Sequence, residues 1–180
     1  MLTTYKELKS FWHYEILGED KPFSRLKLLR RMRRNNSYHC LFWLRLSQYL
    51  HTSPRRGTQS IAKQINKSLA RKFGVEIMLG ARIDKGLWLG HPIAIVIYSG
   101  VVIGKNCNIR QCTTIGSVEA NNKSITLGDN VDIGAHSCII GSGLSIGDNV
   151  TIGAMSFINK DVPGNVTYIT RKQNQISPKE

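Results

Sequence analysis

The sequence is short of acids: 12 Asp and Glu stand against 25 Lys and Arg, giving a net charge of +13 over 180 residues. It also lacks any run approaching the roughly 18 apolar residues that a membrane-spanning helix needs. The first residues, MLTTYKELKSFWHYE, are polar and carry acids, so no secretory leader is expected there. Four cysteines (Cys40, Cys107, Cys112 and Cys138) form no CxxC pair and have no histidines nearby at zinc-finger spacing. They read as reduced thiols of a cytoplasmic protein, since disulfides are rare in that compartment.

The acid deficit is local. Residues 1–75 hold 16 Lys and Arg against 4 acids, whereas residues 76–180 hold 9 against 8. Two segments with different work therefore meet near residue 75. No recognised nucleic-acid motif accompanies the basic half, so nucleic acid is not the expected partner.

In the second segment an aliphatic residue recurs every six positions. Ile77, Ile83 and Leu89 are followed by Ile97, Ile103, Ile109 and Ile115, then Leu127, Ile133 and Ile139, then Ile146, Ile152 and Ile158. Hexads such as IGKNCN, LGDNVD and IGDNVT show the unit most clearly. A period of six suits neither a helix nor a continuous strand. It suits a solenoid in which each hexad is a short strand and a turn, with the aliphatic side chain pointing inward. Three places break the beat: two extra residues around His91-Pro92, the stretch GSVEANNKSIT after Ile115, and one extra residue in IIGSGLS. In a solenoid such insertions leave as loops from a corner, where function gathers.

Residues 1–73 read as helices punctuated by Pro22 and by Pro54-Arg55-Arg56-Gly57. RLKLLRRMRR (25–34) is the sharpest charge cluster. Two readings stay open for it. Its apolar residues pack on the solenoid while its cations are solvated, or a basic face gathers an anionic glycan or lipid at the inner membrane surface. In the second case LFWLRLSQYL would lie in the membrane interface.

Residues 74–165 resemble the hexapeptide-repeat acyltransferases, and among them the serine O-acetyltransferase-like branch. The resemblance rests on Gly74-Val75-Glu76-Ile77, on His91 ahead of Ile95-Val96-Ile97, and on the turns IGAH (133–136) and IGAM (152–155). It implies a mainly β fold: a left-handed parallel β-helix with three hexads per coil, preceded by the α-helical segment 1–73 and followed by a tail, 166–180. It also implies a homotrimer with sites between subunits, and acetyl-CoA as donor, with no metal. With three hexads per coil, His91, Gln111, Ala135 and Ala154 should stack at one corner, on coils ~4.8 Å apart. His136 would then lie ~10 Å along the axis from His91.

The resemblance gives His91 the role of general base, a task that suits an imidazole whose ordinary pKa is ~6.5. Gly134, Ala135, Gly153 and Ala154 match turns that face the pantetheine arm of the donor, and Gly116 and Ser117 match a loop start near its thiol. Lys160, Arg171 and Lys172 are candidates for its phosphates. The solenoid offers only His91 and His136, too few histidines for a three-histidine zinc site. Two departures stand out. The branch has an aspartate where this chain has Gly90, and its long loop ends in an arginine-histidine pair that SVEANNKSI lacks. These departures point to a sugar of a surface polysaccharide as acceptor, with L-serine as the alternative. A non-catalytic scaffold binding an anionic polymer or a membrane is a third reading. The expected location is cytoplasmic, at the inner face of the membrane if the basic helices dock there.

Overall fold

The computed structural model describes residues 2–117 and 123–171. Four helices come first: α1 (Tyr5–Trp12), α2 (Arg25–Arg34), α3 (Asn36–Thr52) and α4 (Thr58–Phe73). Thr4 starts α1 in a capping box with Glu7, whose carboxyl is held down at about 2 chiefly by the Thr3 and Thr4 backbone amides. A π-helical stretch, His13–Leu17, extends α1 and buries Glu15. Helix α4 stops at Gly74, whose left-handed φ of 65° suits glycine, and the solenoid begins at the next residue.

The solenoid is built of three parallel sheets visited in turn. The first holds β1 (Val75–Ile77), β4 (Ile95–Ile97), β7 (Thr114–Gly116), β10 (Cys138–Ile140) and β13 (Phe157–Ile158). The second holds β2 (Arg82–Ile83), β5 (Val101–Ile103), β8 (Ile125–Leu127) and β11 (Ser145–Ile146), with Val162 bridging to Ile146. The third holds β3 (Trp88–Leu89), β6 (Asn108–Ile109), β9 (Asp132–Ile133), β12 (Thr151–Ile152) and β14 (Thr167–Tyr168). Because β14 pairs with β12, the last coil runs beyond residue 165. This is the solenoid that the hexads foretell, and the left-handed parallel β-helix that the resemblance implies. Every aliphatic residue of the six-residue beat, from Ile77 to Ile158, is buried along its axis.

One corner is stitched by asparagines. Asn106, Asn130, Asn149 and Asn165 all take left-handed φ values of 56–60° and stack coil on coil. Their side-chain amides donate in series: Asn106 to Asn130 at 3.1 Å, Asn130 to Asn149 at 2.9 Å, and Asn149 to Asn165 at 2.9 Å. At the open end Tyr14 donates its hydroxyl to Asn106 Oδ1 at 2.8 Å. The first coil has Gly86 in this column, because a Cβ there would run into the Asn106 amide. Replacing Asn130 by alanine removes two ladder bonds and leaves a left-handed residue without asparagine's tolerance for it. The expected loss is about 1–2 kcal/mol, read from the urea midpoint, with Asn130→Gly costing less.

The helices dock through a buried ion pair that sequence patterning does not reveal. Arg45 of α3 is fully buried and grips Glu15 with Nη2 to Oε1 at 2.6 Å and Nε to Oε2 at 3.0 Å. Its other N–H groups reach Gln48 Oε1 and the carbonyls of Ile83 and Asp84. Glu15 Oε1 in turn accepts the backbone amides of Gly86 and Leu87 at 3.0 and 3.1 Å. Leu41 and Leu44 of the same helix are fully buried against the solenoid's first coils. The stretch LFWLRLSQYL is therefore core, and the expectation that it lies in a membrane interface is corrected: its arginine already has every partner inside the protein.

Candidate functional site

The chain passes from the third sheet to the first at the corner that carries His91. The register along the third sheet is Leu89 beside Ile109, Ile109 beside Ile133, and Ile133 beside Ile152. After these residues the column Gly90, Arg110, Gly134 and Gly153 continues in step, each amide through Gly134 donating to the inward residue of the next coil and Gly153 donating to Tyr168. Here the structure departs from expectation. The amides of Cys112, His136 and Met155 donate to the carbonyls of Ile93, Gln111 and Ala135. Ile93, not His91, therefore stacks with Gln111, Ala135 and Ala154. Ala94, Cys112, His136 and Met155 form the next column, all with left-handed φ of 51–60°.

The two extra residues of the first coil are thus His91 and Pro92 themselves. They form a bulge closed by the Ile93 amide donating to the His91 carbonyl at 2.8 Å. The bulge buries Pro92 and leaves the imidazole exposed. Among the described residues the ring has no hydrogen-bond partner, so both its nitrogens are free to meet a ligand. The bulge is anchored from the helical side. Ser37, buried at the start of α3, donates to the Gly90 carbonyl at 3.2 Å, and Tyr38 packs edge-on against Trp88 with ring centres 5.7 Å apart.

Beyond the bulge the corner is tied by buried hydroxyls. Thr113 and Ser137, both fully buried, donate back to the carbonyls of Arg110 and Gly134 at 2.8 Å. Gly134 is glycine because a Cβ there would strike the backbone of Ala154 on the next coil. A Cβ on Gly90 would meet only Trp88 Nε1, at 3.9 Å, so a larger residue fits that position sterically. Alone in its column, Arg110 carries a long side chain. It is exposed and stands 4.0 Å from Asp132. Along the same edge Ala135 and Ala154 present methyl groups only, which leaves the neighbouring backbone open.

The expected donor residues fall into two groups. Gly134, Ala135, Gly153, Ala154 and exposed Arg171, which follows β14, share the corner of His91. Gly116, Ser117 and exposed Lys160 lie at the far end of the first sheet, where the GSVEANNKSIT and IIGSGLS insertions leave. Within one chain Lys160 is therefore not on the His91 corner, since it follows a first-sheet strand rather than a third-sheet one. Lys172 lies outside the described residues. Among the described residues no three His, Cys, Asp or Glu side chains are grouped to hold a metal. Burial pushes the thiols of Cys40 and Cys107 up to about 12, and all four cysteines are free. Those two thiols are inert at neutral pH.

Sequence reasoning missed Ser37, Thr113 and Ser137, which hold the corner, because isolated hydroxyls carry no period. Arg110 had a readable signal, a cation where the neighbouring hexads turn on glycine.

No family model matches the chain. It is 36% identical over 132 residues to chloroplastic serine acetyltransferase 1 of Arabidopsis thaliana, a match covering 72% of this chain and 42% of that protein. It is 32% identical over 135 residues to the serine acetyltransferase of Buchnera aphidicola, covering 73% and 50%. The crystal structure of Neisseria gonorrhoeae serine acetyltransferase in complex with serine superposes with a TM-score of 0.71 at 28% identity, over 90% of this chain and 64% of that one. The chain spans about half the length, or less, of these curated relatives. These matches overturn the sugar of a surface polysaccharide as the acceptor. That expectation rested on Gly90 and the shortened loop, two local departures in a chain that matches these curated relatives over 72% and 73% of its length.

Proposed function

We propose that this chain, a hexapeptide-repeat homologue of the serine acetyltransferases, transfers the acetyl group of acetyl-CoA to the hydroxyl of L-serine. The observation that carries the reading is the His91-Pro92 bulge, which projects an unpartnered imidazole beside a column of small turn residues. His91 removes the hydroxyl proton as the serine oxygen attacks the thioester carbon. The tetrahedral intermediate collapses by breaking the carbon–sulfur bond, and the imidazolium returns its proton to the departing thiolate. Atoms and charge balance, with no acyl-enzyme. The methyl-lined edge at Ala135 and Ala154 leaves backbone accessible to a pantetheine arm. Gly116 and Ser117, at the opposite end of the first sheet, join the site from a neighbouring subunit of a trimer.

Arg110 supplies what a hydroxyl amino acid needs beyond a base. It stands one coil from Gly90, so its guanidinium is within reach of an acceptor carboxylate whose hydroxyl lies at His91. Arg110→Ala is expected to raise KM for L-serine about tenfold or more, with KM for acetyl-CoA unchanged. Steady-state kinetics with each substrate varied in turn reads this directly.

The reading is tested by following thiol release from acetyl-CoA with L-serine, simple sugars and nucleotide sugars as acceptors. Release with L-serine and not with the sugars supports it. Release with no acceptor, or with a sugar alone, contradicts it.

A further inference from the structure

The basic cluster of α2 sorts into two faces. Leu28 and Met32 are buried, and α2 packs on α3 and the π-helical stretch. Lys27, Arg30, Arg31 and Arg34 then fall at i, i+3, i+4 and i+7, which is one continuous stripe. Across from it stands Lys21, in the loop before α2. Together with Leu17 and Pro22 these residues line a cavity of about 290 Å³ with no acid in its wall. Arg31 is fixed there by donating Nη1 to the carbonyls of Ile16 and Leu17 at 2.6 and 3.0 Å. Among the described residues none of these cations takes part in an ion pair.

Such a stripe works against the helix that carries it. Lys27 with Arg31, and Arg30 with Arg34, are like charges one turn apart, an arrangement that destabilises an isolated helix. Cations in the last turn do favour the helix dipole, which accounts for Arg31, Arg33 and Arg34. It does not account for Lys21, Lys27 and Arg30, nor for their convergence on one cavity. Leu26, one turn before Arg30, borders the stripe and is 79% exposed; Leu29, one turn from Leu26 on the flank away from the stripe, is 44% exposed, although α2 buries Leu28 and Met32. A soluble phosphate would be met by the cations alone and would leave the leucines without purpose. A bilayer with anionic headgroups meets both: phosphodiesters over the cations, acyl chains over the leucines.

We propose that this face of α2 is a docking surface for an anionic membrane. The phosphodiester of a lipid headgroup sits in the Lys21–Lys27–Arg30–Arg31–Arg34 cavity, and Leu26 and Leu29 enter the headgroup boundary. No helix among the described residues is long and apolar enough to cross a membrane, so the contact is peripheral. It is independent of the acetyl-transfer reading, because α2 contributes no residue to the His91 corner.

The test is sedimentation of the full chain with vesicles of phosphatidylcholine alone and of phosphatidylcholine with phosphatidylglycerol, at low and high salt. The expected result is at least tenfold stronger binding to the anionic vesicles, weakened by salt. The triple variant Lys27→Gln, Arg30→Gln, Arg34→Gln should lose this binding while keeping the wild-type melting temperature and rate of thiol release. Leu26→Ser with Leu29→Ser should weaken vesicle binding several-fold while leaving affinity for inorganic pyrophosphate unchanged. Equal binding to both vesicle types, or binding that survives the triple variant, overturns the proposal. Pyrophosphate binding at the cavity with no vesicle binding overturns it in favour of a soluble phosphorylated ligand.

Discussion

Glu15→Gln is expected to destabilise the protein by about 3–5 kcal/mol, read as a shift of the urea unfolding midpoint. The substitution leaves Oε1 to accept the Gly86 and Leu87 amides but removes the charge and replaces Oε2 with a donor. Arg45 would then be buried with its Nε–H facing an N–H group and no countercharge, and a guanidinium cannot escape by losing its proton. A large effect follows because both side chains are wholly buried and the pair joins α3 and the π-helical stretch to the first coil. Replacing both partners by apolar residues of similar size should recover much of the loss, since the pair itself is worth little against good packing. Glu19, exposed four residues away, serves as the control, and Glu19→Gln should change stability by less than about 0.5 kcal/mol. A Glu15→Gln midpoint equal to wild type would mean that the Glu15 charge adds nothing to the docking of the helices on the solenoid.

His91→Ala is expected to lower kcat for serine-dependent thiol release by about 10²–10⁴-fold, the usual worth of a positioned general base. Coenzyme A affinity should stay at the wild-type value, because the small-residue edge proposed for the donor is unchanged. Stability should also hold, since the imidazole is exposed and none of its atoms secures the bulge, which is closed by the backbone and by Ser37. His136→Ala provides the contrast. His136 is exposed in the column of Cys112 and Met155, two coils from the His91 bulge, and should keep most of the activity. If the two variants behaved alike, the special standing given to His91 would be lost.

Much of the solenoid was legible because its physics is periodic. An inward aliphatic residue every six positions is the only way such a narrow core can be filled, and each one from Ile77 to Ile158 is where that rule puts it. The asparagine ladder was also visible in principle, as the Asn of IGKN, LGDN and IGDN, but its meaning depends on left-handed stacking that no single hexad announces. The stacking partner of Gln111 was misread for a simple reason. Counting forward from Leu89 assigns the insertion to whatever follows His91, whereas the amide of Cys112 selects Ile93. That shift of two residues is what takes the imidazole out of the stack. Arg45 stayed hidden because an arginine inside LFWLRLSQYL reads as the polar edge of an amphipathic helix until its partner, 30 residues earlier, is found. As for the acceptor, the missing aspartate and arginine-histidine pair are local departures that do not specify what replaces them, and Arg110 takes on meaning only once the register sets it one coil from Gly90.

Mass spectrometry of L-serine incubated with acetyl-CoA and the full chain tests the central claim most directly. The account predicts O-acetylserine accumulating with the wild-type protein and failing to accumulate with His91→Ala. Serine left unmodified by a folded, coenzyme A-binding protein would contradict it.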